Sequence, residues 1–331
     1  MTKRIAIIGA GAFGTALGTM LSNAGQDVVL WSRDPNEALA INQSHTHPTR
    51  LSGLALPESL RATSDLPAAL SSASLVISAL PLAALRDVWS RAAAYLLQNT
   101  IVVSTSKGIE PGTLQFAYDI LAEILPAERL ACLTGPSFAY ELATGLPTSV
   151  VVAASQPDVA TAVQKHMSHG AFRVYTSADV IGVEVGGALK NVVAIACGAA
   201  DGLRLGANAK AALMTRGIDE LKRLAMAMGG QPETLAGLAG MGDLVLTCTG
   251  GLSRNRLVGE RLAGGASLQE VLHDVGETAE GVGTARAVRA LQEKYGVELP
   301  ICDAVYRVLF GGEGLCDVVR ALLGRGHILT P

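Results

Sequence analysis

The chain has 331 residues, 49% hydrophobic and 17% charged, with a net charge of −3. That balance can bury a large core and excludes global disorder, while a pI near 6.1 offers no basic face to nucleic acid. Aromatics are only 4%, which suits parallel strands and close-packed helices better than an aromatic-rich sandwich.

The first half alternates short apolar runs with helical patterns, which predicts βαβ units and a parallel sheet covered on both faces. Strands are expected at Arg4–Ile8, Asp27–Trp31, Arg61–Thr63, Leu75–Ala79, Ile101–Ser104, Leu130–Leu133, Ser149–Ala153 and Phe172–Tyr175. Helices are expected at Ala12–Ala24, Ala83–Leu96, Leu114–Ile124 and Pro157–Met167. Beyond about residue 178 the strand signals stop. Val180–Ala200, Ala209–Met228, Pro232–Leu238, Ser253–Ala263, Ser267–Asp274, Thr284–Tyr295, Pro300–Phe310 and Glu313–Leu323 all read as helices. The expected organisation is a doubly wound, mostly parallel α/β domain over 1–178, then an all-helical substrate-binding and catalytic domain over 179–331.

The opening Met1-Thr2-Lys3-Arg4 and apolar Ile5–Ile8 are too short for a secretory signal, and they run into a glycine turn. No uncharged apolar stretch reaches the ~18 residues of a membrane span. A cytoplasmic chain without membrane insertion is expected. Its five cysteines, at 132, 197, 248, 302 and 316, lack C-x-x-C spacing and read as small buried hydrophobes, not as a metal or redox site. The six histidines lie in no Gly-rich or charged constellation, so surface or capping roles are expected; His166 and His169 read as sharing a helix face.

Gly9-Ala10-Gly11-Ala12-Phe13-Gly14 is a G-x-G-x-x-G that follows a strand and opens a helix, the context that makes the pattern specific for a dinucleotide. Gly9 permits the turn, Gly11 lets backbone approach a pyrophosphate, and Gly14 allows close helix–strand packing. The next strand ends Trp31-Ser32-Arg33-Asp34 with no carboxylate at its tip. Arg33 could pair with a 2′-phosphate, which favours NADP(H); the adjacent Asp34 keeps NAD open.

Lys190 stands in an apolar helical run, Val183 to Ala196, with little other charge. A lysine there is costly unless it faces a cleft or a partner, and desolvation would tune it for proton transfer. Lys107 falls just past the carboxyl end of a strand, where open α/β sheets bind ligands. Gly135-Pro136-Ser137-Phe138-Ala139 is similarly placed, with Pro136 fitting a first helical position. Asp243 and Thr247 lie four apart, on one face if helical. Ser253-Arg254-Asn255 reads as a helix start able to seat a phosphate, or as an ordinary cap by Ser253. Glu277-Thr278-Ala279-Glu280 could be a cap or a cofactor-edge contact.

Together these segments resemble the bacterial-type NAD(P)-dependent sn-glycerol-3-phosphate dehydrogenases, over nearly the whole chain. The most specific parts are Gly135 to Ala139, Gly186-Gly187-Ala188-Leu189-Lys190-Asn191, Gly242-Asp243-Leu244 and Ser253-Arg254-Asn255. The resemblance implies interconversion of dihydroxyacetone phosphate and sn-glycerol 3-phosphate, feeding glycerophospholipid synthesis, and is compatible with a homodimer. It makes Lys190 the proton-transfer residue, helped by Lys107, Asp243 and Thr247. It gives Gly135, Ser137, Ser253, Arg254 and Asn255 to the substrate. Ala12, Phe13, Arg33, Lys107, Ala139, Arg254, Thr278 and Glu280 match the family's cofactor contacts. Two other readings stay open: a two-domain dehydrogenase for a 3-hydroxy acid or ketopantoate-like substrate, and a non-catalytic NADPH-sensing module.

Overall fold

The computed structural model describes residues 4–275 and 279–324. Its first part runs β1 (Arg4–Ile8), α1 (Ala12–Asn23), β2 (Val28–Trp31), α2 (Pro35–Ser44), β3 (Arg61–Thr63), α3 (Leu66–Leu70), β4 (Ala73–Ser78) and α4 (Leu82–Ala92). It continues with β5 (Ile101–Ser104), α5 (Ala117–Ala122), β6 (Leu130–Thr134), α6 (Ala139–Ala143), β7 (Thr148–Ala153), α7 (Pro157–Met167) and β8 (Phe172–Ser177). The described residues after β8 are helical: α8 (Val180–Gly202), α9 (Gly206–Ala227), α10 (Pro232–Ala236), α11 (Asp243–Thr249) and α12 (Arg254–Ala263). Then come α13 (Leu268–Val275), α14 (Glu280–Tyr295), α15 (Pro300–Phe310) and α16 (Leu315–Gly324).

The strands form one sheet in the order β3-β2-β1-β4-β5-β6-β7-β8. The order reverses direction between β1 and β4, the switch point where doubly wound sheets open a crevice for ligands. Alternate residues of β1 feed opposite faces: Ile5 and Ile7 join a core with α1, α2 and α7, Ala6 and Ile8 one with α3, α4 and α5. Burial on both faces is why these strands read as continuous apolar runs.

Several expectations need correction. The helices α2 and α3 were not expected; each starts on an aspartate cap, Asp34 and Asp65, followed within two residues by proline. β4 begins at Ala73, two residues before the expected start. The sheet is mostly parallel, as expected: β7 pairs antiparallel with β6 while the other described neighbours are parallel. The β6–β7 link holds only the five-residue α6, too little for a crossover helix. Cys316 is exposed, whereas the other four cysteines are buried.

Two compact units result. One runs through Lys107 and again over Gln115–Glu184; the other holds Gly108–Leu114 and the described chain from Val185 onward. The division therefore falls inside α8, downstream of the expected Thr176–Val180. Glu184, in the first turns of that helix, accepts the Tyr118 N–H at 3.2 Å and so belongs with α5. By length and composition α8 could cross a membrane, but 78% of its apolar window is buried in the protein.

Candidate active site

The glycine turn after β1 sits at the switch point. Gly9 has φ +114°, and an added Cβ would lie 2.6 Å from the Ala79 carbonyl oxygen, so conformation and packing both demand glycine. A Cβ on Gly14 would lie 2.0 Å from the Gly9 carbonyl oxygen, so the close approach is of the helix to the turn, where the sequence suggested helix to strand. Gly11 is different. It caps α1 with an ordinary φ of −64°, and nothing lies within 4 Å of a Cβ placed there. The protein itself gives no reason for glycine at this position, but a diphosphate against the free N–H groups of α1 does. The residues thus fit a dinucleotide. Ala12 and Phe13 open α1, half-buried, with Phe13 packed on the sheet core.

At the tip of β2, Asp34 Oδ1 accepts the Asn36 N–H at 2.9 Å as the cap of α2. That carboxylate is already engaged, while the neighbouring Arg33 is exposed. Lys107 follows β5 in a half-buried position. Its loop is fastened to the end of β4: Thr105 Oγ1 donates to the Ser78 carbonyl at 3.1 Å and Ser106 Oγ to the Leu80 carbonyl at 2.7 Å. Gly135, with φ +142°, turns the chain where a Cβ would meet the Val150 Cα at 2.8 Å, and Ser137 Oγ donates to its carbonyl at 3.0 Å. Pro136 does not open the helix. α6 starts at Ala139, itself packed on the sheet core, because Phe138 keeps an extended ψ of 132°.

In the helical unit, Lys190 is 5% exposed. Its Nζ donates to Asp243 Oδ1 at 2.5 Å and to Thr247 Oγ1 at 2.9 Å. Asp243 opens α11, and a π-helical turn at Leu238–Gly242 delivers it there. Thr247, one turn on, donates to the Asp243 carbonyl at 2.6 Å, so its hydroxyl oxygen faces the ammonium as acceptor. This places the three expected residues together. The buried lysine thus meets a carboxylate partner, one of the two outlets the sequence left for it.

The start of α12 lies on the same helix α8. A Cβ on Gly198 would lie 1.8 Å from the Arg256 carbonyl oxygen, and one on Gly259 1.9 Å from the Ile195 carbonyl oxygen. The two helices therefore touch backbone to backbone. Ser253 Oγ accepts the Arg256 N–H at 3.2 Å, which makes it the cap of α12. Arg254 follows, exposed at the helix N-terminus. Asn255 is buried: its Nδ2 donates to Asn191 Oδ1 at 2.9 Å and its Oδ1 accepts the Gly281 N–H at 3.0 Å. Asn255 thus ties α12 to α8 and α14. Glu280 is the first residue of α14, half-buried; Thr278 lies outside the described residues.

Two polar residues that the sequence did not place at the site touch its parts. Asn191, beside Lys190, braces Asn255 and donates to the Gly187 carbonyl at 3.2 Å; its only sequence signal is a polar residue next to a buried lysine. His47, expected at the surface or as a cap, is buried at 6% exposed; it caps the Thr49 and Arg50 N–H groups and also contacts the glycine turn. Nothing in its local spacing signals that. His169 lies beyond the end of α7 instead of sharing a helix face with His166, and its Nε2 meets the His166 carbonyl at 3.0 Å.

Residues 4–160 match the family model described as NAD-dependent glycerol-3-phosphate dehydrogenase N-terminus, and residues 179–320 match its C-terminus. The chain is 50% identical to a glycerol-3-phosphate dehydrogenase [NAD(P)+] of Myxococcus xanthus, covering 97% of each chain. A second relative of that name, from Citrifermentans bemidjiense, is 46% identical over 98% of each. Among solved structures it is similar to the glycerol-3-phosphate dehydrogenase of Coxiella burnetii, with a TM-score of 0.93 and 37% identity over 98% of this chain and 99% of that one.

Proposed function

The chain belongs to the NAD-dependent glycerol-3-phosphate dehydrogenase family, and from that premise we propose the interconversion of dihydroxyacetone phosphate and sn-glycerol 3-phosphate with NAD(P)H. It is an oxidoreductase. The family match displaces the 3-hydroxy-acid, ketopantoate and redox-sensor readings. The observation that carries the chemistry is the buried ion pair of Lys190 with Asp243, braced by Thr247.

When bound, the nicotinamide supplies or accepts the hydride at the substrate's C2. Gly9, Gly11, Ala12, Phe13 and Gly14 hold the dinucleotide, with Ala139 and Glu280 among its further contacts. Arg33 favours the 2′-phosphate of NADP(H), a reading supported by the commitment of Asp34 to capping α2. Lys190, kept as an ammonium by Asp243, donates a proton to the C2 oxygen during ketone reduction and recovers it in the reverse direction. Lys107, just past the carboxyl end of β5, is read as a further cation for the substrate. Gly135 and Ser137 line the substrate.

Arg254 and the N-terminus of α12 bind the phosphate, and binding that remote group helps align the reacting carbon. Ser253 and Asn255 shape this seat through the cap and the brace they form. A cytoplasmic location, supply of glycerophospholipid synthesis and a homodimer complete the reading. Oxidation of NADPH and of NADH with dihydroxyacetone phosphate is the test: turnover specific to that substrate is expected. Its absence, with 3-hydroxy acids turned over instead, would discard the assignment.

A further inference from the structure

His47 lies between α2 and β3, in a stretch without regular structure, yet its side chain is closed off from solvent. Its two ring nitrogens face different partners. Nδ1 accepts the N–H groups of Thr49 at 3.2 Å and Arg50 at 3.0 Å, so it carries a lone pair. Nε2 lies 2.8 Å from the Ala10 carbonyl oxygen, which can only accept, so the proton is on Nε2. The tautomer is fixed by its neighbours. The same Nε2 is 3.1 Å from Glu37 Oε1, and the other oxygen of Glu37 accepts the hydroxyl of Ser32, beside Arg33.

Ala10 is the residue between the first two glycines of the turn. Its carbonyl oxygen also accepts Thr15 Oγ1–H at 3.1 Å, so two donors draw it into the protein. In a trans peptide the N–H points opposite to the C=O. Holding the Ala10 carbonyl inward therefore presents the Gly11 N–H outward, at a residue where an added Cβ would meet nothing within 4 Å. We infer that His47 is a positioning residue for the dinucleotide, setting the Ala10–Gly11 peptide and linking it through Glu37 and Ser32 to the tip of β2. This rests on the cofactor seat proposed above.

The diphosphate is common to both cofactors, so the effect of His47 is shared by NADPH and NADH, unlike that of Arg33. The test is the dissociation constant of each cofactor for the full chain with His47→Leu, His47→Gln and Thr15→Val. Gly11→Ala serves as the reference for the seat; its φ and open surroundings let alanine fold there. His47→Leu is expected to bind both cofactors about tenfold more weakly, with kcat at saturating cofactor unchanged. His47→Gln regains most of that affinity, because its amide N–H can occupy the place of Nε2–H. The inference is overturned if His47→Leu (or Thr15→Val, should the first not fold) binds both cofactors within about twofold of the native chain while Gly11→Ala has lost them. If Gly11→Ala also binds normally, the cofactor seat itself is misplaced and the inference goes with it.

Discussion

Lys190 Nζ and Asp243 Oδ1 meet at 2.5 Å with side chains only 7% and 2% exposed, joining the middle of α8 to the first residue of α11. A pair this deeply buried is held against a desolvation penalty, so neither partner can be removed without consequence. Lys190→Ala is expected to lower kcat by about 10²–10⁴-fold while NADPH affinity stays native. Single-turnover kinetics alongside a binding titration separates the two effects.

Asp243→Asn leaves the ammonium without its counter-charge. It should destabilise the helical unit by ~3–5 kcal/mol and reduce turnover as well. Chemical denaturation reads the first and steady-state kinetics the second; an unchanged unfolding midpoint would show that the pair is not as closed as the geometry says.

Arg254→Ala should raise KM for dihydroxyacetone phosphate by about tenfold or more, leaving KM for the cofactor less affected. Asn255→Ala differs in kind. Its amide joins three helices, so lost stability should accompany the raised KM. Equal melting temperatures for the two variants would argue against that bracing role.

Arg33→Ala should reduce kcat/KM with NADPH by at least about tenfold and leave NADH nearly untouched, because only the phosphorylated cofactor offers it a partner. Parallel assays with the two cofactors measure the ratio. A ratio equal to that of the native chain removes Arg33 from cofactor selection.

Stability should fall as pH rises across the neutral range. Burial, outweighing the N–H groups that Ile301 and Cys302 offer it, pushes the Glu220 carboxyl from its ordinary 4.5 up to about 7. Burial likewise raises Glu184 to about 8. A carboxyl with a raised folded value gives its full contribution below about pH 4.5 and loses it as pH climbs through the folded value. Glu220→Gln should therefore remove ~3 kcal/mol of pH dependence between about pH 5 and pH 8. Urea unfolding at several pH values checks the slope.

Much of this was legible in the sequence because it is local. The G-x-G-x-x-G turn, the β-branched runs and the change to helices after about residue 178 are near-neighbour patterns, and the structure has each of them. Lys190 stands out because the only cation in an apolar helical run needs a cleft or a partner. That the partner is Asp243, 53 residues away, could come only from resemblance or from the fold. His47 escaped for the same reason in reverse: its importance comes from Ala10, 37 residues earlier, and nothing nearby marks it. The mostly parallel sheet was legible, but not that β7 is the strand that runs antiparallel to β6, because alternation within a strand does not encode the direction of its neighbour.

The crossing of α8 and α12 at Gly198 and Gly259 has a consequence for what the enzyme can accept. With carbonyl groups of each helix against a glycine of the other, no side chain at that crossing can repack to change the spacing. On the proposed reading, Lys190 on α8 gives the proton and Arg254 on α12 holds the phosphate, so the distance between them works as a fixed ruler. Under that reading, molecules that place ketone and phosphate one carbon farther apart would have to bend to fit, since the crossing itself cannot widen by repacking.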